Sequence, residues 1–177
     1  MTNSHIQTDR RGGSIVTFTG LIIYPADARP DEISIEDIAQ GLSMMCRFNG
    51  QIPKFYSVAE HSCRVVDYMR THLGVTGKSE LLWGLLHDAS EAYISDIVAP
   101  VKSFLDDYLS VEEQLMRVIA TKFELGDEPD AVHTTDQQVF AQEWAMFRGP
   151  QRDLSRECFP RCAKRIFLDY YHDITHI

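Results

Sequence analysis

The chain has 177 residues, of which 44% are hydrophobic, and its formal net charge is −9. This length and composition suit one compact domain with a single substantial core. The negative charge argues against a nucleic-acid groove, which needs clustered Lys and Arg to neutralise phosphates, but it leaves room for a small anionic substrate.

Neither secretion nor membrane insertion is predicted for this chain. It has no run of about 18 apolar residues, and residues 1–13 lack the apolar core of a signal peptide. Its four cysteines form no Cys-x-x-Cys pair, so disulfides and a structural zinc site are not expected. We therefore predict a cytoplasmic protein with reduced thiols at Cys46, Cys63, Cys158 and Cys162.

The N-terminal part of the chain predicts a leader and a hairpin. Residues 1–13 are polar and are expected to form a flexible leader, so that residues 14–177 make up the single domain. Residues Ser14 to Tyr24 alternate apolar and polar side chains around Thr19-Gly20, which is typical of a short β-hairpin. The apolar positions of this alternation are Val16, Phe18, Ile22 and Tyr24.

Two capped helices are predicted next. Ser34 is a suitable N-cap for a helix that ends before Asn49-Gly50. Ser57 and Glu60 form a capping box that begins a second helix, and His61 lies on the apolar face of that helix. A histidine at such a place is by default a core residue bonded to a neighbour, and the alternative is a metal ligand. The core face of the first helix carries Ile35, Ile38, Ala39, Leu42 and Met45.

The stretch Leu81 to Lys102 is predicted to begin as one continuous helix that starts near Ser79 and carries the chemistry. His87, Asp88 and Glu91 interrupt its apolar stripe, and their spacing lets all three lean toward one side of the helix. Burying an imidazole and two carboxylates is costly unless they are paired or coordinate a metal. We therefore predict a divalent cation here. Pro100 prevents regular helix continuation, so Lys102 is expected on a turn near the mouth of the site.

Three further helical segments complete the chain. Ser110 and Glu113 repeat the capping box and predict a helix start. In the next helix, Asp136 lies four residues from both Val132 and Phe140, within the apolar stripe that continues to Val139 and Phe147. It is either a carboxylate bonded to backbone or to Thr134, or a metal ligand. The last helix is expected to pack through Ile166, Phe167, Tyr170 and Ile174.

The order H…HD…D, formed by His61, His87-Asp88 and Asp136, predicts a metal site. Two imidazoles and two carboxylates suit Mn, Fe, Co, Ni or Zn better than Ca or Mg. Such a metal favours phosphoester hydrolysis. Glu91 would then position or deprotonate the water, or protonate the leaving oxygen. Arg47 and Lys102 would hold the phosphate, unless they are ordinary surface cations.

The combined pattern resembles the HD-domain phosphohydrolases from about Ile33 to Phe147. It consists of Arg47, SVAEHS at 57–62, HDASEAYISD at 87–96, PVK at 100–102 and a later Asp136. The resemblance is strongest to the YfbR-like 5′-deoxynucleotidases and the phage-type dATP triphosphohydrolases. It implies an all-α HD bundle that holds one transition metal, and additional Mg besides that metal is a further candidate cofactor.

By the same resemblance, the implied metal ligands are His61, His87, Asp88 and Asp136. Glu91 and Asp96 match the catalytic acidic pair of the family, and Arg47 and Lys102 match its phosphate contacts. The related enzymes shape their base pocket around the position of Phe48, so Asn49 is a candidate base contact. A homo-oligomer, either a dimer or a hexamer, in a bacterial or phage-infected cytosol is implied as well.

The resemblance leaves the substrate open among several classes. The chain is similar in size to the phage enzymes, which favours a deoxynucleoside triphosphate and dATP first. The candidates for binding the additional phosphates are Lys54, Arg64 or a neighbouring subunit. The alternatives are a 5′-deoxynucleotidase, a cyclic-nucleotide or alarmone phosphodiesterase, and a nucleotide-binding HD module without turnover.

Overall fold

The computed structural model describes residues 9–148 and 158–177. Within these ranges the chain forms eight α-helices and one antiparallel hairpin near its N-terminus, so the prediction of a helical protein with a short hairpin is confirmed. The helices are α1 (Ile35–Met44), α2 (Val58–His72), α3 (Lys78–Leu86), α4 (Glu91–Ile94), α5 (Ala99–Lys102), α6 (Asp106–Lys122), α7 (Asp130–Arg148) and α8 (Pro160–Thr175).

Helix α2 lies at the centre of the bundle, where it packs against α1, α3, α7 and α8. The predicted capping box begins it: Glu60 N–H donates to Ser57 Oγ at 3.2 Å, and Ser57 N–H donates to Glu60 Oε2 at 3.0 Å. These two bonds satisfy backbone donors that a helix start leaves unpaired. The buried face of α2 carries Val58, His61, Val65 and Met69, so the central helix of the fold also carries the first candidate ligand.

The predicted hairpin forms between β1 (Ile15–Val16) and β2 (Ile22–Ile23), with Ile15 opposite Ile23. Ile23 is fully buried, whereas Val16 is 74% exposed, so the face that contains Val16 points away from the core. The buried Asp37 of α1 accepts hydrogen bonds from both the N–H and the hydroxyl of Thr19, each at 2.8 Å. A polar contact at the hairpin turn therefore attaches it to the bundle.

The predicted continuous helix through His87 is wrong, because α3 ends at Leu86 and α4 begins only at Glu91. Between them Ala89 N–H donates to Leu86 O at 2.9 Å, and Glu91 N–H donates to Asp88 O at 3.0 Å. These bonds span three residues instead of four, as in a 3₁₀ turn, where side chains three apart project on the same side. Asp88 and Glu91 thus stay together although the α-helix is interrupted.

Two other predicted boundaries are wrong. Helix α6 begins at Asp106, so Ser110 lies inside it and does not cap it. Lys102 ends the short helix α5 instead of lying on a turn. Pro100 is accommodated in the first turn of α5, where its missing N–H removes no helical hydrogen bond.

The predicted leader, residues 1–13, lies in part outside the described residues. Arg10, which belongs to it, donates to the carboxylates of Asp27 and Glu32, at 2.9 Å and 2.5 Å, and to the carbonyl of Asp27. This ion-pair cluster attaches the chain to the start of the bundle before the predicted domain boundary at residue 14.

All four cysteines lie within the described residues and are present as thiols, as predicted. Among residues 9–148 and 158–177, no helix combines the length and the apolar composition that crossing a bilayer requires.

Gly41 lies at a close approach between α1 and α4. A Cβ atom at Gly41 would lie 2.8 Å from the backbone of Ala92. We expect Gly41→Ala to lower the free energy of unfolding by about 1–3 kcal/mol, because overpacking against backbone outweighs the gain of about 1 kcal/mol in helix propensity. Urea unfolding followed by circular dichroism measures the change.

Gly13→Ala is the matched control for this prediction. A Cβ atom at Gly13 would have no neighbour within 4 Å. Its free energy of unfolding should therefore stay close to that of the wild type. Equal stability of Gly41→Ala and the wild type would contradict the close packing of α1 on α4.

Candidate metal centre

The predicted metal ligands converge from three parts of the bundle. His61 lies on α2, His87 and Asp88 directly follow α3, and Asp136 lies on α7. One donor atom from each of His61, His87 and Asp88 lies within 4.8 Å of the other two, so these residues could hold a metal ion. Asp136 Oδ1 lies 3.0 Å from His61 Nε2 and 3.9 Å from His87 Nε2, beside this group.

Both imidazoles are oriented through their Nδ1 atoms. His61 Nδ1 lies 2.9 Å from Glu143 Oε1, and His87 Nδ1 lies 2.9 Å from the Gly84 carbonyl oxygen. Because these oxygens accept hydrogen bonds, each Nδ1 carries a hydrogen, and the Nε2 of the neutral ring presents its lone pair. Among the described residues neither buried Nε2 has a hydrogen-bond partner. Such an arrangement is typical of histidines that bind a metal.

The alternative interpretations of His61 and Asp136 explain less of this geometry. If His61 were only a core histidine bonded to a neighbour, the contact of its Nδ1 with Glu143 would be explained. Its Nε2 would not be explained, because this atom lies 3.0 Å from Asp136 Oδ1 but is not aligned for a hydrogen bond. The hydroxyl of Thr134 donates to the Asp130 carbonyl at 3.2 Å, so it does not bind Asp136. Two imidazole nitrogens and the carboxylate of Asp88, with Asp136 beside them, could therefore hold a metal ion.

The electrostatics of the site favour an added positive charge. Burial disfavours the imidazolium of His87, but the negative charge of Asp88, whose Oδ2 lies 3.3 Å from His87 Nε2, outweighs burial and raises the pKa of His87 to about 9. Burial opposes ionisation of Asp88 as well, yet His87 holds the pKa of that carboxyl below its usual range. Without a metal, a proton on His87 Nε2 therefore offsets part of the charge of the two aspartates, and a divalent cation would replace that proton.

We expect metal affinity to rise with pH below about 9. Near neutral pH His87 is protonated in the metal-free protein, since its pKa is about 9, and this proton must leave when the metal binds. The dissociation constant for Co²⁺ should fall about tenfold per pH unit between pH 7 and 8. Titrations monitored by the visible absorption of Co²⁺ measure this slope. A dissociation constant that does not change over this range would contradict it.

The predicted acidic pair lies beside the donors. Glu91 is buried, and its Oε2 has no hydrogen-bond partner in the described part of the chain. Burial, followed by the charges of Asp88 and Asp96, raises the pKa of Glu91 far above its usual range, so a protonated carboxyl is stable there. Burial also raises the pKa of Asp96. A left-handed backbone conformation at Ser95, with φ of 75°, turns the chain between the two carboxylates.

The three predicted substrate contacts differ in position. Arg47 has a largely buried side chain, and its NH1 lies 3.7 Å from Asp88 Oδ2, so it reaches the donor cluster. Lys102 lines a cavity of about 340 Å³ together with His87, Asp88 and Asp136. Its Nζ donates to Glu112 Oε1 at 2.6 Å. Asn49 is exposed and lies in the left-handed region with φ of 51°.

Lys54 and Arg64, the candidates for additional phosphates, line a different cavity of about 580 Å³. That cavity shares no lining residue with the one that contains Lys102. Arg64 NH1 lies 3.6 Å from the sulfur of Met146, which lines the same cavity as Arg64. The structure therefore does not bring these two cations to the candidate metal centre.

Glu143 belongs to the site although it was not predicted from the sequence. It is fully buried and contacts His61, Tyr56 and Arg47. A signal was present, because Glu143 follows Asp136 by seven residues and Val139 by four, which places it on the buried face of α7. A carboxylate in an apolar stripe was the feature that identified Asp136 as a candidate.

The chain is similar to two bacterial proteins over part of its length. The uncharacterized protein YfdR of Escherichia coli (strain K12) is 40% identical over 111 residues, which are 63% of this chain and 58% of YfdR. The uncharacterized protein RCAP_rcc00048 of Rhodobacter capsulatus is 39% identical over 103 residues, 56% of this chain and 52% of that protein. The chain thus matches little more than half the length of these relatives. No protein-family model matches it.

Proposed function

We propose that the protein is a divalent-metal-dependent HD phosphohydrolase that cleaves the α-phosphate ester of deoxynucleotides and releases the nucleoside. The observation that carries this proposal is the pair of buried Nε2 atoms of His61 and His87, which face Asp88 and Asp136 without hydrogen-bond partners among the described residues. A buried polar group without a partner is costly, and a bound cation removes that cost.

The proposed ligands are His61, His87, Asp88 and Asp136. A bound transition metal would supply Lewis-acid activation of a phosphoryl group and of a water molecule. The chain contributes the proton transfer, because the protonated carboxyl of Glu91 is suited to donate a proton to the leaving 5′-oxygen. Asp96, which follows the end of α4, would help to keep Glu91 protonated through its negative charge.

Arg47 supports a phosphate-containing substrate. Its guanidinium is largely withdrawn from solvent and lies next to Asp88, so it would reach an anion bound at the donor cluster. The planar guanidinium binds phosphate oxygens in pairs. Lys102 Nζ, which donates to Glu112 in the cavity that His87 lines, would donate to a phosphate oxygen instead when substrate binds there.

An aromatic surface beside Arg47 supports a nucleotide over a simple phosphoester. The rings of Phe140 and Trp144 have their centroids 5.6 Å and 5.9 Å from that of Phe48. Phe140 and Trp144 are 45% and 46% exposed, although Phe140 was predicted to belong to the apolar stripe. The Arg47 guanidinium lies 5.6 Å from the Phe48 ring centre, so a base stacked on this surface would have its phosphate near Arg47.

Deoxynucleoside triphosphates, dATP first, are the primary substrate candidates, and deoxynucleoside monophosphates are the second. A specific observation favours the monophosphates: Lys54 and Arg64 line the other cavity, which leaves Arg47 and Lys102 as the proposed phosphate contacts among residues 9–148 and 158–177 of this chain. Either reaction would take place in the cytoplasm, where deoxynucleotides are found.

Incubation with each deoxynucleoside mono- and triphosphate in the presence of Mn²⁺ or Co²⁺ tests the proposal. Separation of the products by chromatography decides between the candidates. Deoxyadenosine plus intact triphosphate from dATP would establish a triphosphohydrolase, and nucleoside plus phosphate from monophosphates alone would establish a 5′-nucleotidase. A chelator-treated sample is the control for metal dependence. Absence of product from every substrate would contradict hydrolysis and favour a nucleotide-binding module.

A further inference from the structure

We propose that Glu143 is the positioning residue of the metal centre and acts on both the ligand His61 and the phosphate contact Arg47. The inference rests on the proposed function and assigns a role to a residue outside its ligand set. Glu143 is fully buried on α7, two helical turns after Asp136.

Each oxygen of the Glu143 carboxylate has its own partners. Oε1 accepts a hydrogen bond from Tyr56 Oη at 2.7 Å and lies 2.9 Å from His61 Nδ1. Oε2 lies 3.2 Å from Arg47 Nε, within ion-pair distance but not aligned as a hydrogen bond. One side chain of α7 therefore contacts helix α2, the segment before it and the turn at Arg47.

A purely structural role explains the charge of Glu143 poorly. Its neighbours along the same face of α7 are Val139 and Phe147, which are almost completely buried. An apolar side chain would fill this place at lower cost, because a buried carboxylate loses its hydration and needs charged or polar partners. Two of the partners of Glu143 face the candidate metal donors: His61 through Nε2, and Arg47 through NH1, 3.7 Å from Asp88.

Two consequences follow from these contacts. The carboxylate holds the hydrogen of His61 on Nδ1, so the Nε2 lone pair is directed at the metal and its donor strength increases. It also holds Nε of Arg47, which leaves the terminal nitrogens of the guanidinium free to point toward Asp88 and a phosphate. Loss of the charge should weaken metal binding and substrate binding together.

Glu143→Gln tests the inference, since it keeps the size of the side chain and removes its charge. The amide places an N–H₂ group against either His61 Nδ1–H or Arg47 Nε–H, and both of these are donors. We expect the dissociation constant for Co²⁺ to rise at least about tenfold, as is typical when a partner of a metal-bound histidine is lost. At saturating Co²⁺, KM should rise more than kcat falls, because Arg47 binds the phosphate in the ground state as well.

Two further variants separate positioning from packing. Val139→Ala removes buried apolar atoms from the same face of α7, so it should lower the melting temperature and leave the Co²⁺ dissociation constant unchanged. Tyr56→Phe removes one donor to Glu143 but keeps the carboxylate, so it should change the constant less than Glu143→Gln.

The outcomes distinguish this inference from the proposed function. A wild-type protein that binds no Co²⁺ would overturn the proposed function first. Wild-type protein that binds Co²⁺, together with Glu143→Gln that binds it equally well, would overturn the inference alone. If Glu143→Gln does not fold, histidine ¹⁵N NMR of the metal-loaded wild type replaces it: a hydrogen on Nδ1 of His61 is expected, and a hydrogen on Nε2 would overturn the inference.

Discussion

Replacement of His87 or Asp136 by alanine is expected to abolish metal binding and hydrolysis together. Each variant removes one of four proposed donors, and the affinity for Co²⁺ should fall by more than about 100-fold, because loss of an outer partner alone costs about 10- to 100-fold. In His87→Ala the aspartates also lose the imidazolium that offsets part of their charge in the metal-free protein, where the pKa of His87 is about 9. Metal content by mass spectrometry and product formation measure the two losses.

His133→Ala is the matched control for these variants. His133 lines the same cavity, but it is exposed and its Nε2 lies 2.8 Å from the amide nitrogen of Gln137. The His133→Ala variant should therefore retain both metal binding and turnover. Retained metal stoichiometry in both His87→Ala and Asp136→Ala would remove these residues from the ligand set and would contradict the proposed centre.

Glu91→Gln is expected to behave differently, because it should retain the metal and lose turnover. The carboxyl of Glu91 is buried and its pKa is raised, first by burial and then by the charges of Asp88 and Asp96, so it holds a proton that it can donate. An amide of the same size cannot transfer that proton. Loss of a general acid or base typically lowers the rate by about 10²- to 10⁴-fold, and we expect kcat to fall within this range. Glu91→Ala should give the same pattern.

Glu128→Gln controls for the loss of a carboxylate near the cavity of about 340 Å³ that His87, Asp88 and Asp136 line. Glu128 lines it from an exposed position between α6 and α7. The turnover of the Glu128→Gln variant should stay near that of the wild type. If Glu91→Gln retained full metal content and a near-normal kcat, the acid–base role of Glu91 would be wrong, while the metal centre itself would stand.

Local signals in the sequence predicted the starts of two helices, one of which carries His61, but not the interruption of the helix at His87 and Asp88. The cap at Ser34 and the capping box at Ser57 correctly predicted where α1 and α2 begin, since both signals act within one helical turn. Polar residues in apolar stripes identified His61, His87, Asp88 and Asp136, because a buried charge requires a partner whatever the fold. The same local reasoning failed at Ser110, where a capping-box sequence lies inside α6 and local signals alone do not choose between two possible helix starts.

The contacts between distant groups, in contrast, depend on how the helices pack. Glu143 contacts His61 across 82 residues of sequence, and Lys102 pairs with Glu112 on another helix. The separation of Lys54 and Arg64 from the metal donors likewise follows from helix packing and not from any local pattern. The periodicity of apolar residues predicts which face of a helix is buried. The partner of each buried side chain depends instead on how helices cross, and these crossings involve residues far apart in the chain. For that reason the proposed ligands could be predicted from the sequence, and the carboxylate that orients one of them could not.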